Sequence, residues 1–228
     1  MTRQNLIIDA DDTLWENNIY FERAFVEFVA YLDHSTLSAR EVRDVLDEIE
    51  IVNARIHGYG SLNFGRNLRQ CYRHLAERQV CEEDLGIVLA FAERILECPI
   101  EVIPGVPETL RYLADRHRLT LFTKGHPDEQ KLKIDRSGLG IHFANTAIVK
   151  EKDSAAYRLL IAQHGMDPSV TWMIGNSPKS DINPALEAGI NAIFIPHAHT
   201  WVLEKQEIRP VEGRFLQLEA FAELAERF

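Results

Sequence analysis

An α/β fold with a mainly parallel sheet and an inserted all-helical module is predicted by three observations. Five short apolar runs, Leu6–Ile8, Leu119–Phe122, Ala147–Val149, Val170–Ile174 and Ala192–Ile195, have the length of buried strands. Helical patterns alternate with the later runs, as strand–helix–strand units require. Residues 16–99 carry helical periodicity and no good strand.

The first run ends at Asp9. Four helical patterns follow. Tyr20, Phe21, Ala24, Phe25, Phe28, Val29 and Leu32 recur at spacings of three and four. Ser38-x-x-Glu41 matches a capping box ahead of Val42, Val45, Leu46 and Ile49. Gly58-Tyr59-Gly60 interrupts before Leu68, Cys71, Tyr72 and Leu75, and Leu85, Val88, Leu89, Ala92 and Ile95 make the fourth stripe. Beyond the module, Pro107 suits the start of a helix with Leu110, Leu113 and Ala114 on its apolar side. Asp153 or Ser154 suits the cap of a helix carrying Tyr157, Leu160 and Ile161, ended by Gly165. A further helix is expected from about Ile182 to Ala188, with Gly189 ending it. The expected division is a core of residues 1–15 and 100–228 and a module of residues 16–99. The ends of the module must lie close together, because both rejoin one sheet.

With 46% apolar and 26% charged residues the composition is that of an ordinary globular chain. No apolar run approaches the ~18 residues a membrane span needs, and Leu6–Ile8 is too short for a signal-peptide core, so a cytoplasmic location is the default expectation. Cys71, Cys81 and Cys98 are odd in number and lack C-x-x-C spacing, which suits neither a disulfide framework nor a zinc site. A net charge of −10 argues against a nucleic-acid partner, whose phosphates attract clustered Lys and Arg. An acidic chain that handled anionic esters would need a local cation.

Four segments carry chemistry, each after a predicted strand, where open α/β sheets bind ligands. Asp9-Ala10-Asp11-Asp12-Thr13 is the most informative: two acids at i and i+2 can serve as nucleophile and as proton donor and acceptor. The plainer reading is an acidic turn. Thr123-Lys124-Gly125 offers a hydroxyl and backbone N–H groups to phosphate oxygens, or is simply a turn. Lys150 and Lys152 can neutralise a phosphoryl group or be solvated. Gly175-Asn176-Ser177-Pro178-Lys179-Ser180-Asp181 brings a carboxylate and an amide near the sheet edge. Together with Asp9 this suits Mg²⁺, a hard cation that takes oxygen ligands.

In this order, D-x-D-x-T, Thr, Lys and G-[DN]-S-x-x-x-D, the four motifs resemble those of the haloacid dehalogenase superfamily. The resemblance spans the chain, since residues 16–99 look like its helical C1 cap. It implies a Rossmann-like core and an Mg²⁺-dependent phosphatase. Asp9 resembles the nucleophile that becomes an aspartyl-phosphate, and Asp11 the general acid and base, its backbone carbonyl a metal ligand. Thr123 with the Lys124 N–H resembles the phosphate grip, and Asp181 the acidic metal ligand. Lys152, favoured over Lys150, resembles the lysine that steadies the nucleophile and phosphoryl group. The implied metal ligands are Asp9, Asp11 and Asp181. Asp12 stands where the family most often has Gly, and Asn176 where an acid is commonest.

A 2-haloacid dehalogenase shares the scaffold and the aspartate but needs neither Mg²⁺ nor Asp11. A phosphomutase would retain every motif, and a silent binding protein is a third reading. For recognition of a small phosphorylated metabolite, Tyr59 between its two glycines is the candidate, the alternative being a plain helix–helix turn. Arg66, Arg69 and Arg73 share a helical face expected to be solvated. Lys131, Lys133 and Arg136 are expected to decorate an exposed helix. Trp15 suits a hinge lining or ordinary packing, and His197-Ala198-His199 suits neutral loop histidines better than a metal pair.

Overall fold

A computed structural model describes residues 3–228. In chain order its elements are β1 (Asn5–Ile8), α1 (Asn18–Leu32), α2 (Ala39–His57), α3 (Ser61–Leu75), α4 (Glu82–Glu93), α5 (Val106–Ala114), β2 (Arg118–Lys124), α6 (Pro127–Ser137), β3 (Asn145–Val149), α7 (Ser154–His164), β4 (Thr171–Gly175), α8 (Asn183–Glu187), β5 (Asn191–Phe194), β6 (Phe215–Gln217) and α9 (Leu224–Arg227). The chain divides into two compact units. One comprises the segment up to Glu16 together with Ile100–Phe228; the other is Asn17–Pro99.

The first unit is built on a six-stranded sheet of order β3-β2-β1-β4-β5-β6, parallel throughout. Each of the five apolar runs falls on a strand, with Val170 just before β4 and Ile195 just after β5; β6, three residues long, carries no such run. Alternation along the strands sends Leu6, Ile8, Leu119, Leu121, Trp172 and Ile174 to one face, where Leu110 and Leu113 of α5, Ile134 of α6 and Leu224 of α9 cover them. Ile7, Phe122, Met173 and Ala192 point to the other face, against Tyr157, Leu160 and Ile161 of α7 and Leu186 of α8. Burial on both faces explains why these strands read as continuous apolar runs. Asp153 caps α7 by accepting the Ala156 N–H at 2.8 Å, and Gly165 ends it at φ 59°.

The second unit is four helices around Phe25, Phe28, Leu46, Leu68, Tyr72, Leu85 and Val88. The capping box at α2 forms: Ser38 Oγ accepts the Glu41 N–H and Glu41 Oε2 accepts the Ser38 N–H at 2.8 Å. Gly65 lets α3 meet α4 closely, since a Cβ there would stand 2.6 Å from Leu89 Cδ1. Asp84 accepts hydrogen bonds from the Tyr31 hydroxyl at 2.7 Å, the Arg78 guanidinium at 3.0 Å and the Cys81 N–H at 3.1 Å. The bond to Asp84, aided by burial, pushes the Tyr31 phenol up to about 12. All three cysteines are free, and burial raises the Cys71 thiol to about 12, which leaves it unreactive. No helix among the described residues is long and apolar enough to cross a membrane.

Leu68 is fully buried at the centre of this helical core. Leu68→Ala is expected to lower stability by about 2–5 kcal/mol, measured by denaturant unfolding followed by far-UV circular dichroism.

Candidate active site

The strand order reverses direction at β1, whose neighbours β2 and β4 lead away on either side. A doubly wound sheet opens its crevice at such a point, beyond the carboxyl ends of the strands. Asp9 follows β1 directly and is tied to β4 by its N–H, which donates to Ile174 O at 2.9 Å. The chain then turns tightly: the Thr13 and Leu14 N–H groups both bond to Ala10 O, and Asp12 takes φ 59°. This left-handed position favours Gly, and Asp is among the few other residues that adopt it readily.

Lys152 is buried and joins the two acids. Its ammonium bonds to Asp9 Oδ1 and, at 2.8 Å, to Asp181 Oδ1. Lys150, two residues earlier, is exposed. Burial alone would lower the Lys152 ammonium, but the charges of Asp181 and Asp9 outweigh it and hold the pKa above its ordinary value. Asp181 is driven the other way: burial and the Asp9 charge raise it more than Lys152 and the Ser177 N–H lower it, to about 7. Two buried carboxylates therefore share one lysine, a set of hard oxygen donors short of positive charge. Asp9 Oδ2 faces Thr13 Oγ1 at 3.0 Å, and the same hydroxyl lies 3.3 Å from Asn176 Oδ1.

The loop after β4 explains its motif. A Cβ on Gly175 would sit 2.3 Å from Asp181 Oδ2, so only glycine leaves that carboxylate its place. Asp181 lies in a π-helical turn, Pro178–Ile182, that Ser177 caps and that runs into α8. Asp181 Oδ2 accepts the Ser177 N–H at 2.9 Å, and Tyr157 donates its hydroxyl to Ser180 O at 2.9 Å.

Glu204 was not legible as part of this neighbourhood. From a loop remote in sequence it accepts the hydroxyls of Ser177 at 2.6 Å and Ser180 at 2.5 Å, and pairs with Lys124 at 2.5 Å. Its burial would raise the carboxyl, but Lys124 and the two serines bring it below the usual range. The Lys124 side chain thus serves the loop after β4, while Thr123 is buried and donates to Gln130 Oε1 at 3.3 Å.

Asp11 has its own surroundings. The Lys133 ammonium is 2.6 Å from both its oxygens, Gln130 Nε2 donates to Oδ2 at 2.8 Å, and the Trp15 indole N–H donates to Oδ1 at 2.8 Å. Burial pushes this carboxyl up, and the Lys133 charge with the three donors brings it below its ordinary value. Lys133 is therefore no surface decoration, although Lys131 and Arg136 are exposed as expected. Trp15, besides packing in the core, holds Asp11.

Tyr59 is in the helical unit, between Gly58 at φ 76° and Gly60 at φ 114°. On α3, Arg66 and Arg73 are exposed and Arg69 is half-buried, 3.9 Å from Glu82. His197 faces Glu16 through Nε2 at 3.3 Å and lies 3.8 Å from Asp12 through Nδ1, which also accepts the His199 N–H at 3.3 Å. Asp12, Glu16 and His197 bring metal-ligating atoms within 4.8 Å of one another, but His197 uses both ring nitrogens within the protein.

The family model for haloacid dehalogenase-like hydrolases matches residues 4–189. A phosphoserine phosphatase of Thermus thermophilus is 31% identical over 101 residues, which span 40% of this chain and 41% of that protein. Among solved structures, a haloacid dehalogenase-like family hydrolase from Xanthomonas campestris superposes with a TM-score of 0.85 at 26% identity, covering 99% of this chain and 94% of that one. A 2-haloacid dehalogenase from Pseudomonas syringae pv. tomato superposes with a TM-score of 0.65 at 20% identity, covering 99% and 97%, a likeness of fold. The strand order, the four strand-end segments and the family match agree: this chain belongs to the haloacid dehalogenase-like hydrolases.

Proposed function

We propose that this hydrolase is a magnesium-dependent phosphatase that acts on a small phosphorylated metabolite through an aspartyl-phosphate on Asp9. The observation that carries the reading is the pair of buried carboxylates, Asp9 and Asp181, on one lysine. Such a pair needs a further cation, and Mg²⁺ fits the donors: the carboxylates of Asp9 and Asp181 and the backbone carbonyl of Asp11 are the ligands we assign. When bound, the ion supplies charge compensation for the transferring phosphoryl group.

The chain's own residues do the rest. Asp9 attacks phosphorus as the bond to the leaving oxygen breaks. Asp11, a carboxylate among the donors of Lys133, Gln130 and Trp15 in the resting protein, takes up a proton as substrate binds and gives it to that oxygen, then takes one from the water that releases orthophosphate from Asp9. Lys152 holds the nucleophile and offsets phosphoryl charge. Thr123 and the Lys124 N–H grip the phosphoryl oxygens. The helical unit acts as the family's cap, and Tyr59 as its substrate-contacting residue.

Dehalogenation is the competing reading, because the fold is shared with a 2-haloacid dehalogenase. That chemistry attacks carbon and uses neither a second acid at position 11 nor a metal. Asp11 with its four hydrogen-bond contacts, and the partial likeness to a phosphatase, favour phosphorus. Release of free orthophosphate separates a phosphatase from a phosphomutase.

With Mg²⁺ the protein is expected to hydrolyse 4-nitrophenyl phosphate, to lose that activity in EDTA, and to fall to background as Asp9→Asn. Chloride release from 2-chloropropionate without phosphatase activity would reverse the assignment. Gly175→Ala, which forces Asp181 aside, is expected to raise the half-saturating Mg²⁺ concentration about tenfold or more. Titration of activity against Mg²⁺ checks it.

A further inference from the structure

Helix α6 presents Gln130 and Lys133 three residues apart, on one side of the helix. Both reach Asp11. Gln130 spans two motifs with one amide: Oε1 accepts the Thr123 hydroxyl at 3.3 Å and Nε2 donates to Asp11 Oδ2 at 2.8 Å. It is buried, and Gly125 leaves it room, since a Cβ there would stand 2.8 Å from Nε2. Lys133 straddles both carboxylate oxygens at 2.6 Å, and the Trp15 indole closes the remaining side at 2.8 Å. Ile134, next to Lys133, is packed in the sheet core and anchors the helix. A carboxylate gripped by donors from three side chains has one orientation and is set as a hydrogen-bond acceptor.

We propose that Gln130 and Lys133 are positioning residues that hold the Asp11 carboxylate as proton acceptor for the second half of the reaction, the hydrolysis of phosphorylated Asp9. This rests on the phosphatase reading and adds to it. In that step the water oxygen bonds to phosphorus and the Asp9 Oδ–P bond breaks. Asp9 leaves as a carboxylate, the water proton passes to Asp11, and orthophosphate departs. The pair acts through Asp11, by fixing where its oxygens lie; a misplacement of about 1 Å costs on the order of 100-fold in rate.

The test is rapid-quench kinetics with 4-nitrophenyl phosphate and Mg²⁺, where a weakly basic leaving group makes the first half undemanding. In Lys133→Met and Gln130→Leu the first turnover of nitrophenol is expected to stay fast while later turnovers slow about tenfold or more. A burst then emerges or grows, and kcat and KM fall together with little change in kcat/KM. Lys133→Arg is expected to restore most of the steady rate, and Lys133→Met is expected to add nothing to Asp11→Asn. The proposal is overturned if burst and steady rate fall equally, if neither changes, if turnover rises, or if the losses of Asp11→Asn and Lys133→Met compound. Circular dichroism and Tm show whether each variant is folded; for one that is not, Lys133→Arg and the background of Asp11→Asn decide. Absence of nitrophenol release from the wild-type protein instead defeats the phosphatase reading itself.

Discussion

The site depends on one buried cation shared by two buried carboxylates. Lys152 joins Asp9 at the end of β1 to Asp181 in the turn after β4, and all three are almost wholly removed from water. Removing one partner of such an arrangement leaves an uncompensated charge in a poorly solvated place, so the three residues constrain one another. The constraint extends outwards. Gly175 must lack a side chain because Asp181 occupies that space, and Ser177 must present its N–H to the same carboxylate.

Sheet topology brings these distant residues together. The reversal of strand order at β1 gathers the ends of β1, β2 and β4 around one crevice. Helix α6 then supplies a second group of side chains around Asp11, separate from the group around Asp9. The two acids of one motif, two residues apart, thereby acquire different environments. Asp9 sits with Asp181 on a lysine they share, Lys152, whereas Asp11 pairs with a different lysine, Lys133. Different surroundings for paired carboxylates are how one site divides nucleophilic from proton-transfer work.

The strands were legible because burial on both faces makes them uninterrupted apolar runs, and the helical stripes because their period survives in the sequence. Asp9, Lys152 and Asp181 were legible as strand-end residues, since topology sends strand ends to one place. The choice of Lys152 rested on its nearness to the cap of α7, where Asp153 does cap the helix. Strand β6 was missed because three residues are too few for a pattern. Glu204 and Lys133 escaped for another reason: their partners are 80 and 122 positions away. Periodicity reports which side of a helix faces the core, and Lys133, beside buried Ile134, lies at the edge of that side and reaches inward with a long stem. Nothing local in the sequence distinguishes it from the exposed Lys131.

The chemistry at Asp9 is tested most directly by acid-quenching a turnover of a phosphorylated substrate and mapping the modified peptide by mass spectrometry. The account predicts one phosphoryl group on Asp9, acid-stable and lost in hydroxylamine, and none on any other residue. A carbon ester of Asp9 formed from a 2-haloacid, with no phosphorylated peptide under any condition, would contradict it.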